Sequence, residues 1–448
     1  MSVEDQSTAA ALAEWAAGFV PGEEDLALAR RALIDTLAVA RAADGHALAP
    51  LAAKLGEAGR LATLAHVLDY DDLHLPSTTH VSAVCVPVAL AAGGDARAYL
   101  AGAGVMARLG TMLGWSHYSQ GWHVTCTAGA PAAAVTAAVA RGLDAEATAR
   151  AIALALPAAG GVQRAFGSAA KSLQVGFAAD AGVRAADLAA AGASADPAAL
   201  DQWIGLVGGS AQAFAAAPAV PGGLAIKAYP CCYALQRPIE AAREALGGEP
   251  VPAEQVVGVT VRLDEDVMRP LIHHRPRTGL EAKFSLEYAI AAAILDAHPG
   301  LASFGDEAVA RPEARSVVEL VRIEAAPGGG DLLSGQVEVA IELAGGATRA
   351  AAVELPRGAP DRPLDEAALR QKVTDCAGAD AAELLAADWL SSGSHLLWDR
   401  VSGDERAGGR GRSEDGGADP PRPQRAGADR RPRRQRREGD RDGAGLRL

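Results

Sequence analysis

The densest collection of groups able to move protons or hold ions is the run His66-Val-Leu-Asp69-Tyr-Asp71-Asp72-Leu-His74-Leu-Pro-Ser77-Thr78-Thr79-His80. Three kinds of chemistry suit those residue types at that spacing. Imidazoles and carboxylates ligate divalent metals, and Asp-x-Asp-Asp has the form of a magnesium-binding aspartate cluster, although no second acidic cluster with comparable ligands accompanies it. The same carboxylates can cap a following helix, and His66 can sit hydrogen-bonded on a packed face; taken singly, His66, Asp71, Asp72 and His74 suit that structural role. The third chemistry is proton transfer, in which a histidine beside an orienting carboxylate works as general acid or base near neutral pH.

Proton transfer beside a bound anion needs cations, and three further segments offer them. Gly121-Trp122-His123-Val-Thr125-Cys126-Thr127-Ala-Gly129 sets a histidine just ahead of a small-residue helix start, whose positive dipole end can receive an anion. Gly167-Ser-Ala-Ala-Lys171-Ser-Leu-Gln174-Val-Gly176 places one lysine in an apolar stretch, and Ile226-Lys227-Ala-Tyr229-Pro230-Cys231-Cys232-Tyr233 places another before a proline-broken turn. A buried lysine is costly unless it meets an anion, whereas a surface lysine only snorkels; each segment by itself allows either.

These residues must be positioned by the surrounding elements. Helical periodicity is expected over Ala9–Phe19, Glu23–Arg41, Ala62–Tyr70, Val84–Ala92, Ala96–Leu113, Thr127–Arg141 and Ala145–Leu156, with Gly or Pro at most joins. After Pro250 the texture changes. Val256–Leu263, Val317–Ala325, Gly335–Leu343 and Thr348–Leu355 read as strands around a helical run at Phe284–Ala297, and Leu364–Gly378 and Ala381–Leu390 return to helix. The fold class expected is mainly α with a smaller α+β unit. The domains expected are a helical domain over 1–248, an α+β lid over 249–363, helices packing back on the helical domain over 364–400, and a disordered Arg/Gly/Asp/Pro tail over 401–448.

Six ordered motifs resemble the MmgE/PrpD family, which contains 2-methylcitrate dehydratase and cis-aconitate decarboxylase. Leu12-Ala-Glu-Trp-Ala-Ala-Gly with Ala32-Leu-Ile-Asp35-Thr36-Leu is similar to its opening helices, and Leu68-Asp69-Tyr70-Asp71-Asp72…Thr79-His80 to its Asp-aromatic-Asp-Asp…Thr-His signature. The His123 turn, Lys171-Ser-Leu173-x-x-Gly176, Lys227-x-Tyr229-Pro230-x-Cys232 and Thr278-Gly-Leu-Glu-Ala-Lys283-Phe-Ser-Leu-Glu-Tyr288 resemble its later motifs. The resemblance implies a large helical domain with an α+β lid, a homodimer, and an active site between the two domains. It implies that Asp69, His80, His123 and Lys171 are catalytic and that Lys227, Tyr288 and Cys232 line the substrate pocket, with Asp69 orienting His80 as the proton shuttle. Leu73 and Cys232 stand where the decarboxylase has threonine and histidine, and Gln174 where many members have histidine.

The reaction expected from the resemblance is dehydration or decarboxylation of a small polycarboxylate without metal or organic cofactor. Epimerisation of a dicarboxylate, or binding without turnover, are the alternatives. The 448-residue chain carries a net charge of −13, and its basic residues before position 400 are scattered, which argues against nucleic-acid binding. Gly102-x-Gly104 lacks the third glycine of a dinucleotide fingerprint, and no Gly-x-Ser-x-Gly elbow occurs. Five cysteines without paired spacing suit reduced thiols, and no stretch is apolar enough for a signal peptide or a membrane span, so a cytoplasmic protein with no membrane partner is expected.

Overall fold

The computed structural model describes residues 6–389. The tail expected over 401–448 and the end of the helical stretch expected over 364–400 lie outside the described residues. Ten helices come first: α1 (Thr8–Gly18), α2 (Glu23–Ala42), α3 (Ala49–Ala52), α4 (Glu57–Val67), α5 (Ser82–Ala91), α6 (Ala96–Ser119), α7 (Val124–Ala140), α8 (Ala145–Ala155), α9 (Ala169–Ala190) and α10 (Ala199–Leu206). Asp95 and Asp144 cap α6 and α8 by accepting from backbone N–H groups three residues on. Gly114, at φ 63°, breaks α6 near its end.

Alanine dominates the contacts among these helices, so they pack closely through small side chains. At Gly176 in α9 a Cβ would stand 2.6 Å from the Gly59 carbonyl of α4 and closer still to Thr63. Only glycine permits that approach, and it brings the start of α9 beside the end of α4. The sequence pattern placed the α4 helix over Ala62–Tyr70; it starts earlier and stops at Val67, which frees Asp69 and Tyr70 for the loop.

The second half contains α11 (Gln236–Ala245), β1 (Val256–Asp264), α12 (Gly279–Ala282), α13 (Leu286–Leu295), α14 (Asp306–Ala310), α15 (Pro312–Leu320), β2 (Val321–Ala326), β3 (Val337–Leu343) and β4 (Thr348–Val353). The sheet order is β2-β1-β3-β4. β1 and β2 are parallel because α12–α15 form the crossover between them, whereas β3 and β4 are an antiparallel hairpin closed at Gly346, φ 80°. The strand expected from Val317 begins only at Val321, since Pro312–Leu320 buries one helical face on α13 before the chain turns extended.

Two main cores result. One joins α1–α10 with α16 (Glu366–Ala377) and α17 (Ala381–Leu385), which pack on α2. The other gathers residues 229–353 about the sheet, together with Phe166. Helix α11, inside the stretch expected to be helical domain, packs on β3 and β4 instead. Among the described residues no helix is long and apolar enough to cross a membrane.

Candidate active site

The loop after α4 carries the centre of the site. Asp69 adopts φ 51°, a left-handed conformation costly for a residue with a side chain. Two buried lysines hold this loop. Lys227 Nζ donates to the Asp69 carbonyl at 2.8 Å and to Asp69 Oδ1 at 2.6 Å. Lys372 of α16 donates to the next carbonyl, that of Tyr70, at 2.8 Å and pairs with Asp35 of α2 at 2.6 Å.

From this loop a polar chain runs into the helical core. His66 Nδ1 donates to Asp71 Oδ2 at 2.7 Å, and its Nε2 accepts from Lys171 Nζ at 2.6 Å. Lys171 also lies 3.6 Å from Asp69 Oδ1. His80 Nδ1 stands 3.0 Å from the same Asp71 oxygen, too poorly aligned for a regular hydrogen bond. His80 is fixed through its backbone N–H, which donates to Thr125 Oγ1 in the first turn of α7. His123 immediately precedes α7; its Nδ1 accepts from Gln174 Nε2 at 2.7 Å, and its ring stacks at 5.6 Å on His66.

Burial sets the charge states. Burial drives His80 down to about 3, with Asp71 only partly opposing it, and it also lowers His66 and, well below its ordinary value, His123. These imidazoles are therefore neutral near pH 7. Burial pushes the Asp69 carboxyl up, but Lys171, Lys227 and His80 outweigh it and hold it below its ordinary value; the His66 and His80 contacts do the same for Asp71. Lys227 is raised, because Asp69 and Asp71 overcome its burial. Burial raises the Cys232 thiol to about 12, so it presents a neutral, weakly polar group.

These groups meet at a cavity of about 30 Å³ lined by Asp69, His80, His123, Lys171 and Cys232 among polar groups, with the Phe166 and Phe284 rings under the Lys171 ammonium. That is room for about two waters, far below the ~300 Å³ lower end of ligand pockets.

Five of the seven residues singled out in the sequence line this cavity, and Lys227 stands behind it on Asp69. Tyr288 does not join them. It is the fourth residue of a short run after Phe284, and the helical turn of α13 carries it into the second core, where its hydroxyl donates to the Ser303 carbonyl at 2.5 Å. The orienting carboxylate also differs from expectation: Asp71, not Asp69, faces His80, because two lysines already engage Asp69. His66, Asp71, Tyr118 and Lys283 were not assigned roles from sequence. The i,i+5 spacing of His66 and Asp71 across a helix end is the signal that could have found the first two. Lys283, a fourth buried lysine, donates to the Pro230 carbonyl at 2.7 Å and is lowered to about 8 by burial.

His66, Asp71 and His80 bring their donor atoms within 4.8 Å of one another, the types of a two-histidine, one-carboxylate metal site. The hydrogen bonds do not suit an ion there. Both His66 nitrogens are engaged, and one of their partners is the Lys171 ammonium, which would repel a metal cation. Asp72, by contrast, serves structure: it accepts from the Ser82 N–H at 3.1 Å and from the Ser82 hydroxyl, capping α5. His74 bonds Ser77 and the Pro221 carbonyl.

A helical core is joined to a sheet-based one, and a buried lysine–histidine–aspartate cluster gathers about the loop after α4. Residues 49–216 match the MmgE/PrpD N-terminal domain and residues 229–386 the MmgE/PrpD C-terminal domain. The chain belongs to the MmgE/PrpD family, which includes lyases and isomerases. No curated protein matches it.

Proposed function

We propose that the protein is a lyase that moves a proton next to a carboxylate of a small polycarboxylate, dehydrating or decarboxylating it, with no metal or organic cofactor. The observation that carries this reading is the array Asp71–His66–Lys171, with neutral His80 against the same aspartate at the cavity wall. A substrate carboxylate pairs with Lys171 in a site walled by Phe166 and Phe284, where low polarity strengthens the attraction. His80 accepts the proton from the adjoining carbon through the nitrogen remote from Asp71, and Asp71 stabilises the imidazolium that forms. In dehydration the electron pair left at carbon spreads into the bound carboxylate, where Lys171 balances it, and then expels the neighbouring hydroxyl, which takes the proton back from the His80 imidazolium and leaves as water. In decarboxylation CO2 leaves first and the carbon takes a proton that solvent supplies through His80.

His80 and His123 both border the cavity as neutral imidazoles, and this pair favours a second reading, an epimerase with one base on each side of a carbon. Proton NMR in deuterated buffer with 2-methylcitrate, citrate, cis-aconitate and aspartate-derived dicarboxylates separates the outcomes. New olefinic protons, or for 2-methylcitrate a methyl singlet on a double bond, signify dehydration and itaconate signals decarboxylation, while deuterium at an α-carbon without net change signifies epimerisation. A silent panel with no rise in melting temperature for any compound would overturn the reading.

A further inference from the structure

The catalytic cavity is not isolated. A second chamber of about 320 Å³ shares four wall residues with it, Leu73, Thr78, Tyr233 and Leu332, and continues past Leu75, Trp115 and Leu333. This volume lies within the range of small-molecule sites, whereas the catalytic cavity holds about two waters. The four shared side chains stand between the two spaces, and this boundary is the neck referred to below.

Four features give the chamber its chemistry. Its walls are mainly apolar, and its one charged side chain is the exposed carboxylate of Asp331. Every cation of the site, Lys171, Lys227 and Lys283, lies outside its lining. A carboxylate therefore gains nothing in the chamber, and an apolar group gains by leaving water. Leu73, Ala225 and Tyr233 form an apolar cluster separate from both main cores, with Leu75 and Leu333 packed on it.

The Tyr233 hydroxyl is buried at the neck with no hydrogen-bond partner, although the residue is only 2% exposed. Buried hydroxyls without partners are uncommon, because the lost hydrogen bonds to water are not replaced. The chamber wall is also firmly built. Arg237, fully buried, donates to the carbonyls of Leu332 at 3.1 Å, Leu333 at 2.9 Å and Gly335 at 2.8 Å, fixing the loop between β2 and β3 in place.

We infer that the substrate of this site is a polycarboxylate bearing an apolar substituent of several carbons, whose carboxylates face the lysine cluster while the substituent passes the neck and fills the chamber. Tyr233 donates its hydroxyl to the substrate carboxylate that lies nearest the neck. This inference rests on the proposed polycarboxylate chemistry and adds to it the substrate's second half.

Isothermal titration of the full chain with succinate, butylsuccinate and hexylsuccinate tests it. Affinity is expected to rise with chain length, roughly fourfold per methylene that is fully buried. Leu333→Glu, on the half-buried chamber wall, is expected to abolish the gain from the alkyl chain while succinate binds as before. Tyr233→Phe is expected to weaken succinate and butylsuccinate alike by about tenfold, the loss of one hydrogen bond to a carboxylate. If all three diacids bind equally, or if Leu333→Glu leaves the chain-length gain intact, the chamber is only a solvent passage and the inference falls while the polycarboxylate reading stands. If none of them binds, and the turnover panel is also silent, both fall.

Discussion

Two buried charge groups hold the same loop, and they differ in where they stand. Asp35 and Lys372 form a one-to-one ion pair between α2 and α16 that borders no part of the candidate cavity; Lys372 also donates to the Tyr70 carbonyl, and neither Asp35 oxygen has an aligned hydrogen bond. Around Asp69 and Asp71, two lysines and two histidines crowd two carboxylates, and three of these six side chains, Asp69, Asp71 and His80, keep a buried polar atom without an aligned partner. Both groups leave carboxylate oxygens without aligned partners, so what separates them is place: a pair shut between two helices can only hold the fold. A cluster with surplus donors and acceptors at a cavity wall is suited to receive a ligand, because a ligand can complete what the protein leaves incomplete.

The sharpest way to break this contrast is to remove Lys372. Lys372→Met leaves Asp35 buried and unpaired, and urea unfolding is expected to show a loss of about 3–5 kcal/mol. Replacing both partners, Asp35→Leu with Lys372→Met, should restore most of that loss, since neither charge then needs compensation. Full stability in the single variant would show that the pair is not structural.

Lys171→Met should act in the opposite sense. Asp69 keeps Lys227 at 2.6 Å, so the unfolding midpoint is expected to move little. Turnover of the substrate found by the NMR panel should fall by about 10²–10³ in kcat/KM, the cost of one preorganised charge at the developing anion. A variant with normal turnover and lost stability would place Lys171 with Lys372 as a structural residue.

The smallest effect is in pH. His80, lowered to about 3 by burial, is neutral in the folded protein, while in the unfolded chain it titrates near its ordinary 6.5. Between those values the unfolded state binds more protons, so His80 makes the fold lose stability as pH falls from about 6.5. Asp69 and Asp71, held below their ordinary values, add stability that is present above the unfolded carboxylate range and is lost as pH falls through it. Activity should be nearly flat between about pH 5 and 8, because the base needs no deprotonation there. An acid limb near 6.5 in kcat/KM would show His80 titrating as an ordinary exposed imidazole.

Much of this was legible in the chain itself. Asp69, His80, His123, Lys171 and Cys232 come from separate segments and meet at one cavity as the ordered motifs implied. Helix and strand textures were also legible, since their periods follow from which side chains must face a core. What failed did so for local reasons. Val317–Leu320 is β-branched enough to read as strand, yet the proline-started turn of α15 and its contact with α13 made it helix. Tyr288 lies near the site in sequence but the rotation of α13 turns it to another core.

The sequence by itself determined the family, the mainly helical architecture with its four-stranded sheet, and the residue types available for proton transfer, because composition and periodicity are carried residue by residue. The tertiary structure alone decided which carboxylate serves which histidine, that Lys372 reaches across 302 positions to the Tyr70 carbonyl, and that an apolar chamber adjoins a cavity too small for a substrate. Those relations depend on how closely α4 and α9 approach at Gly176 and on which groups burial strips of water, quantities that exist only once distant segments are packed together.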